Sequence, residues 1–164
     1  MLLDLKQVFL NEGTHDLGSY ELDLSSVAVD GVNPMPKPVK LRAEAVNTAG
    51  TVKLIIKAEF LYSRPCDRCC SLTDKDMRLE FEHNLVVSLS GDSNDDYIET
   101  PDYTLDLFKL AETDILLELP LKYLCSDDCK GLCQSCGKNL NEGDCDCSKN
   151  TVDPRLEALR ELLN

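Results

Sequence analysis

The sequence predicts an α+β fold, in which an antiparallel sheet domain with a helix is followed by a cysteine-rich C-terminal segment. Three observations support this class. Apolar and polar residues alternate through much of 39–62 and 79–89, which is the period of a half-buried strand. Apolar residues recur at close to helical spacing through 105–119. Six of the nine cysteines crowd into residues 125–147.

The middle of the chain predicts three consecutive antiparallel strands. Residues 39–46 and 52–62 form two alternating runs, and the turn-like residues 47–50 between them indicate a hairpin. A third run, 79–89, places apolar residues on one parity and charged residues on the other. Each strand is therefore expected to turn one face to the core and the other to solvent.

The flanking segments are less regular. Residues 2–10 fit either a strand or a short helix, and residues 20–29 look extended. The proline-rich residues 33–38 predict a rigid, non-helical connector. Residues 153–163 combine an N-cap, a proline in the first turn and a leucine stripe, which together predict a short terminal helix.

Length and composition predict the domain organisation and the compartment. The 164 residues suffice for one domain with a real core, residues 1–122, and a small appendage, residues 123–164. The first residues lack the pattern of a secretory signal, and no apolar run approaches the ~18 residues needed to span a bilayer. We therefore expect a cytoplasmic protein with no membrane contact, in a reducing compartment where dense cysteines favour metal over disulfides.

The charge is strongly negative overall but uneven. The net charge of −13 opposes RNA binding over the whole surface, yet residues 34–78 carry nine Lys or Arg against five Asp or Glu. These cations predict a basic strip on the open face of the hairpin, suited to a phosphate backbone or an acidic protein. A merely solvated sheet face is the alternative, because Glu44 and Glu59 interrupt the strip. The predicted nucleic-acid or partner contacts are Lys40, Arg42, Lys53, Lys57, Arg64 and Arg68.

Eight of the nine cysteines have metal-ligand spacing. One CxxC pair lies in the loop between the second and third strands, and the other six follow as C-x3-C-x3-C-x2-C-x8-C-x-C. Structural zinc prefers a closed tetrahedron of four thiolates, so eight ligands predict one or two structural Zn²⁺ ions. The predicted ligands are Cys66, Cys69, Cys125, Cys129, Cys133, Cys136, Cys145 and Cys147.

The partition of these ligands stays open at this stage. The simplest one makes Cys133, Cys136, Cys145 and Cys147 a local site and pairs Cys66/Cys69 with Cys125/Cys129. A competing partition exchanges Cys129 for one member of the local set. Free or redox-active thiols are a further alternative, most plausible for the isolated Cys66/Cys69 pair. Cys70 is left over, as a small side chain beside the pair.

No catalytic constellation is evident, so we expect a protein that is not an enzyme and has no small-molecule substrate. The two histidines, His15 and His83, read as a surface and a satisfied core residue, respectively. There is no Gly-rich phosphate loop. The many carboxylates are explained by a solvated acidic surface.

Specific motifs in residues 50–164 resemble the YceD family, the large-ribosomal-RNA-subunit accumulation proteins of bacteria and plastids. One is Cys66-x-Arg68-Cys69 after a long strand, and another is Asp106-Leu107 opening a helix. The tail carries the most specific part. It reads Leu124-Cys125-x3-Cys129-Lys130-Gly131-Leu132-Cys133-x2-Cys136-Gly137-x-Asn139-Leu140-Asn141, then Cys145-x-Cys147 and Asp153-Pro154-Arg155-Leu156.

The resemblance implies a cytoplasmic, non-enzymatic factor needed for normal accumulation of large-subunit ribosomal RNA, acting in its processing or in ribosome assembly. Its partner would be the ribosomal RNA or a ribosome-associated protein. Two alternatives follow from the cysteines themselves. One is a redox-switched zinc-thiolate chaperone of the holdase type, because paired zinc thiolates can release metal on oxidation. The other is a thiol oxidoreductase, which the antiparallel surroundings of the first CxxC disfavour.

Overall fold

A computed structural model describes residues 1–88 and 96–147 and has the predicted α+β class. Seven strands and two helices are described, with a 3-10 turn at Pro101–Tyr103. In chain order they are β1 (Leu2–Asp4), α1 (Lys6–Leu10), β2 (Gly13–Leu22), β3 (Val39–Thr48), β4 (Thr51–Pro65), β5 (Leu72–Val86), β6 (Tyr97–Glu99), β7 (Thr104–Asp106) and α2 (Leu107–Glu118). The predicted helix 153–163 and residue 89 of the third strand lie outside the described residues. The division after residue 122 stays a prediction.

The main sheet has the strand order β2-β3-β4-β5-β6. Its first four strands are antiparallel, as predicted for β3, β4 and β5, whereas the short β6 runs parallel to β5. The pairing of β4 with β5 is the longest, running from Val52 opposite Leu85 to Pro65 opposite Leu72. β5 starts at Leu72, seven residues before the predicted start of the third strand at residue 79. Its hydrogen bonds to β4 continue beyond the segment in which apolar and polar residues alternate.

The N-terminal expectations are resolved by tertiary contacts. The segment predicted as strand or helix contains both, since β1 pairs with β7 in a separate two-stranded sheet and α1 follows at once. The segment predicted as extended keeps strand geometry only to Leu22. Beyond it the chain turns, with the backbone N–H of Val27 donating to the carbonyl of Leu24 at 3.0 Å.

The core lies on one face of the main sheet and beneath both helices. Side chains of β4 alternate between buried and exposed along almost its whole length, which is the predicted period of two. α2 contributes Leu107, Ala111 and Ile115, all fully buried. His83 on β5 and Asp114 on α2 lie 2.8 Å apart, between Nε2 and Oδ2, and link this helix to the sheet. The opposite face of the sheet carries the charged side chains. No helix among the described residues combines the length and apolar character needed to cross a bilayer.

A buried asparagine joins α1 to the β3–β4 hairpin. The hairpin turns at Ala49 and Gly50, whose φ values are 49° and 84°, the left-handed geometry of a tight two-residue turn. Asn47 Nδ2 donates to the carbonyls of Val8 at 2.8 Å and Phe9 at 3.2 Å, while its Oδ1 accepts from the backbone N–H of Gly50 at 3.1 Å. One side chain therefore satisfies backbone groups of both a helix end and a turn.

We predict that Asn47→Ala lowers the free energy of unfolding by about 1–3 kcal/mol, because it leaves buried carbonyl groups without a donor. Urea unfolding followed by far-UV circular dichroism measures this. Asn11→Ala is the matched control, since the Asn11 amide is exposed and bonds to Gln7 in the preceding helical turn. Equal unfolding midpoints for the two variants would contradict the assigned role.

Candidate metal centre

The CxxC pair Cys66 and Cys69 occupies the tip of the β4–β5 hairpin. The last strand pair, Pro65 and Leu72, fixes the two ends of this tip. Within it, the backbone N–H of Cys70 donates to the carbonyl of Cys66 at 2.9 Å, and the N–H of Arg68 points at Cys66 Sγ at 3.5 Å. This is the knuckle geometry that aims two sulfurs at one point with backbone amides behind them.

Tyr123 holds the cysteine-rich segment against this tip. Its backbone carbonyl accepts from the N–H of Asp67 at 2.9 Å, and its own N–H donates to Asp67 Oδ2 at 2.6 Å. The hydroxyl donates to the carbonyl of Thr73 at 2.9 Å and lies 3.2 Å from the carbonyl of Tyr62. The ring packs edge-on against Tyr62 with centroids 5.2 Å apart. Tyr123 is only 2% exposed and serves as a fixed anchor. Cys125 follows it by two residues, so the anchor determines where this cysteine lies.

The anchor brings four sulfurs together, which we call the first cysteine group: Cys66, Cys69, Cys125 and Cys129. Their Sγ atoms all lie within 4.8 Å of one another. The Cys66–Cys129 and Cys69–Cys125 sulfur pairs are 3.8 and 3.6 Å apart. A tetrahedral metal with bonds of about 2.3 Å to sulfur needs ligand atoms about 3.8 Å apart, so this spacing fits a four-thiolate site.

The second cysteine group, Cys133, Cys136, Cys145 and Cys147, also has all its Sγ atoms within 4.8 Å of one another. It closes within one loop. The backbone N–H of Cys133 donates to the carbonyl of Lys138 at 2.8 Å, and the N–H of Gly137 donates to the carbonyl of Cys133 at 2.9 Å. Gly137 has a φ of 74°, a conformation that suits glycine and reverses the chain between the two halves of the group.

Within each cysteine group, the pKa of one thiol is strongly lowered and that of another is strongly raised. In the first group, burial opposes ionisation of Cys66, but N–H donors from Arg68, Cys69 and Cys125 outweigh it and lower its pKa to about 6. Hydrogen bonding with Cys129, and then burial, raise the pKa of Cys125 to about 12. In the second group, backbone N–H groups of Cys136 and Ser135 lower the pKa of Cys133 to about 6.

Cys147 resembles Cys125, because its hydrogen bond with Cys136 and then burial raise its pKa to about 12. Each group therefore contains a sulfur prepared to be a thiolate and a sulfur that keeps its proton while its neighbours carry charge. A divalent cation at the centre would remove that conflict. The two groups can each hold a metal ion with four sulfur ligands and no open position.

The two groups differ in burial. Cys66, Cys69 and Cys129 are buried and Cys125 is partly so, whereas in the second group Cys136 is exposed and the other three are partly exposed. Cys70 belongs to neither group; it is exposed, with a φ of 58°. The first group takes its sulfurs from both the sheet domain and the tail, and the second lies within one local loop.

With this geometry described, comparison with known proteins becomes specific. Residues 54–163 match the family described as large ribosomal RNA subunit accumulation protein YceD. That range includes most of β4, the knuckle, α2 and both cysteine groups. The chain belongs to the YceD family.

Three known proteins with detectable similarity match parts of this chain. YlbN of Bacillus subtilis (strain 168), a protein described as uncharacterized, is 31% identical over 133 residues, covering 78% of this chain and 74% of its own length. A chloroplastic large ribosomal RNA subunit accumulation protein YCED homolog 1 of Zea mays is 36% identical over 75 residues, 42% of this chain and 26% of that protein. Its Arabidopsis thaliana counterpart is 34% identical over 58 residues, 35% and 18% respectively. No solved structure matches.

The six cations predicted as partner contacts of this YceD chain fall into two places. Lys40, Arg42, Lys53 and Lys57 lie exposed on the open face of the main sheet. There Lys53 pairs with Glu82 at 2.8 Å, Lys57 lies 3.8 Å from Glu80, and Arg42 lies 3.2 Å from Glu44 and 3.5 Å from Asp16. The open face is therefore a mixed-charge surface in which carboxylates neighbour most of these cations.

Arg64 and Arg68 sit instead at the first cysteine group. Arg64 is 8% exposed and pairs with Asp30 at 3.1 Å and Asp67 at 2.9 Å. Arg68 donates from a guanidinium nitrogen to the carbonyl of Cys129 at 2.9 Å. In the structure both side chains brace the junction between knuckle and tail, which the strip hypothesis did not anticipate. Arg68 lies inside the CxxC and Arg64 two residues before it, and this closeness in sequence was the signal that could have predicted their place at the first cysteine group.

Sequence reasoning also missed the anchor residues Asp67 and Tyr123 and the amide of Asn141. Asn141 Nδ2 lies 3.3 Å from Cys129 Sγ. Asp67 lies inside the CxxC and Tyr123 two residues before Cys125, so proximity in sequence to the cysteines was the signal that could have found them. Asp67 and Tyr123 bond to each other although they lie 56 residues apart in the chain, and no local sequence pattern reveals such a pairing.

Gly131 lies where the tail packs against the backbone of the knuckle. A Cβ there would meet the backbone carbonyl oxygen of Arg68 at 3.1 Å, and its φ is 74°. Gly137 has the same φ with nothing within 4 Å of the added Cβ. Both positions impose the left-handed strain on alanine, about 1–2 kcal/mol, but only Gly131 adds a contact with backbone.

We predict that Gly131→Ala lowers the melting temperature more than Gly137→Ala does. Differential scanning calorimetry of the two purified variants beside the unaltered protein measures both losses. The difference between the variants isolates the contact with Arg68, because the backbone strain is shared. A Gly137→Ala loss equal to or larger than the Gly131→Ala loss would contradict the close docking of tail and knuckle.

Proposed function

We propose that this YceD-family chain is a cytoplasmic, non-enzymatic factor, stabilised by structural zinc, that supports accumulation of large-subunit ribosomal RNA by acting in its processing or in ribosome assembly. The observation that carries the proposal is the family match over residues 54–163, which includes both cysteine groups. The family is named for accumulation of this RNA. Its partner here would be the ribosomal RNA itself or a ribosome-associated protein.

Zinc would serve as a cross-link. Four thiolates per ion leave no coordination position for water or substrate, so the ion would supply structure and charge neutralisation without activating a nucleophile. The first cysteine group would tie the β4–β5 tip to the tail, and the second would fix the loop of residues 133–147. Both groups take ligands from the tail, a segment with few buried apolar side chains, where a metal can supply the missing stability.

We predict two zinc ions per chain in protein purified without added metal. Cys69→Ser and Cys136→Ser should each reduce the content to one, because each removes a ligand from a different group. Native mass spectrometry with inductively coupled plasma analysis measures the stoichiometry. Cys70→Ser is the matched control, since this thiol lies next to Cys69 but outside both groups, and it should retain two ions.

A single ion in the unaltered protein would contradict the two-site proposal. Loss of an ion from Cys70→Ser would contradict the ligand assignment instead. The two outcomes are distinguishable because the first concerns the number of sites and the second concerns their membership.

The open face of the sheet is the proposed contact surface, with Lys40, Arg42, Lys53 and Lys57 as its cations. Lys40 faces Glu59 across the strand pair, and Lys57 faces Arg42. A shallow groove at this point is lined by Lys40, Arg42 and Lys57 together with Tyr20 of the edge strand β2. Because carboxylates neighbour most of the cations, any direct RNA contact would be weak and strongly dependent on salt.

The decisive experiment is complementation. In a strain lacking the gene, we expect the ratio of large- to small-subunit ribosomal RNA to fall, and the unaltered gene to restore it. A Lys40→Glu/Lys57→Glu variant should restore it only in part, whereas Lys6→Glu/Lys109→Glu, with the same charge change on exposed side chains of the two helices, should restore it fully. A ratio unaffected by loss of the gene would overturn the proposed function, and equal rescue by both variants would overturn the contact surface alone.

A redox-switched holdase is the second candidate, favoured by one observation. Cys136 of the second cysteine group is exposed, so an oxidant can reach a sulfur that would hold zinc. Hydrogen peroxide should then release zinc together with a new ability to suppress client aggregation. Zinc that resists peroxide would rule this candidate out.

A further inference from the structure

The loop that carries the second cysteine group folds back against the first cysteine group. Leu132 and Asn139 form an antiparallel bridge, and the backbone N–H of Leu140 donates to the carbonyl of Gly131 at 2.9 Å. Residues 131–140 therefore form a short hairpin with Cys133 and Cys136 inside it. Its returning arm places Asn139 and Asn141 beside the knuckle and the tail.

Asn141 presents an amide to a sulfur of the first group. Its Oδ1 accepts from the backbone N–H of Lys130 at 2.8 Å. An N–H can bond only to the oxygen end of the amide, so the NH₂ end must face the other way. There Nδ2 lies 3.3 Å from Cys129 Sγ and donates to Asn139 Oδ1 at 2.9 Å. The orientation of the amide is thus set by its backbone partner.

Asn139 holds Asn141 in place. Its Oδ1 also accepts from the backbone N–H of Asn141 at 3.0 Å, and its Nδ2 donates to Ser71 Oγ at 3.3 Å, in the loop that follows the knuckle. Asn139 and Asn141 thus connect the loop of residues 133–147 to both parts of the first cysteine group, the knuckle and the tail.

We propose that Asn141 couples the two cysteine groups, so that metal in the second group strengthens metal binding in the first. The inference rests on the proposed zinc binding. A hydrogen bond to a ligand sulfur stabilises its thiolate form and orients it, and outer-shell partners of this kind typically change metal affinity 10–100-fold. Emptying the second group frees the loop of residues 133–147 and withdraws the amide from Cys129. By linkage, emptying the first group weakens the second by the same factor.

The test measures zinc affinity at the first group by competition with a chromophoric chelator. Cys136→Ser/Cys145→Ser, which empties the second group, should lower that affinity about 10-fold or more. Asn141→Leu should lower it similarly while both groups still bind zinc. Adding Asn141→Leu to the Cys136→Ser/Cys145→Ser protein should cost little further, because the amide has already been withdrawn. Gln134→Leu removes an exposed amide from the same loop and should leave the affinity unchanged.

A spectroscopic readout separates a specific bond to sulfur from general loosening. With Co²⁺ in place of Zn²⁺, the sulfur-to-metal charge-transfer band should move to lower energy in Asn141→Leu, because a thiolate without an N–H donor gives up charge more readily. The band should stay in place in Gln134→Leu.

First-group affinities within twofold of the unaltered protein, in both Asn141→Leu and Cys136→Ser/Cys145→Ser, would overturn the coupling while leaving two zinc sites. An unaltered protein that binds no zinc would overturn both the coupling and the proposed zinc sites.

Discussion

Two hydrogen bonds between Asp67 and Tyr123 hold together the two parts of this molecule. Asp67 donates its backbone N–H to the carbonyl of Tyr123 and accepts the N–H of Tyr123 on its carboxylate. Its other carboxylate oxygen accepts from buried Arg64, so the ion pair and the backbone bonds fix each other. The first cysteine group depends on this junction, because it sets where Cys125 and Cys129 meet the knuckle.

At the end of the molecule where this junction lies, buried cysteines take the place of an apolar core. The buried apolar side chains lie between the sheet and the helices, and Tyr123 is the last of them along the described chain. Beyond it, the buried cluster consists of Cys66, Cys69 and Cys129, with Leu124 and Cys125 packed against it. Sulfurs held this close, with acidities driven apart, suit a cation that lets all four become thiolates.

The charges follow a similar division. Arg64 is buried against carboxylates and the exposed Arg68 bonds to the carbonyl of Cys129, whereas the exposed cations Lys40, Arg42, Lys53 and Lys57 lie on the open sheet face, most of them beside carboxylates. An acidic protein with such a face is not built for tight, sequence-independent RNA binding, since its own carboxylates compete with phosphate for the same cations. Accumulation of ribosomal RNA through a protein partner, or through a brief and salt-sensitive RNA contact, is consistent with this surface.

The sequence by itself determined the α+β class, the β3–β4 hairpin, the helix α2 within the helical run 105–119, and the family, because these depend on local periodicity and contiguous motifs. It also determined that Cys133, Cys136, Cys145 and Cys147 can close locally, since all four lie within one short loop. Tertiary structure decided the parallel β6, the early start of β5, the internal role of Arg64 and the meeting of Cys69 with Cys125. That meeting joins residues 56 apart in the chain and depends on the Asp67–Tyr123 junction, a pairing of ordinary residue types that carries no periodic or motif signal.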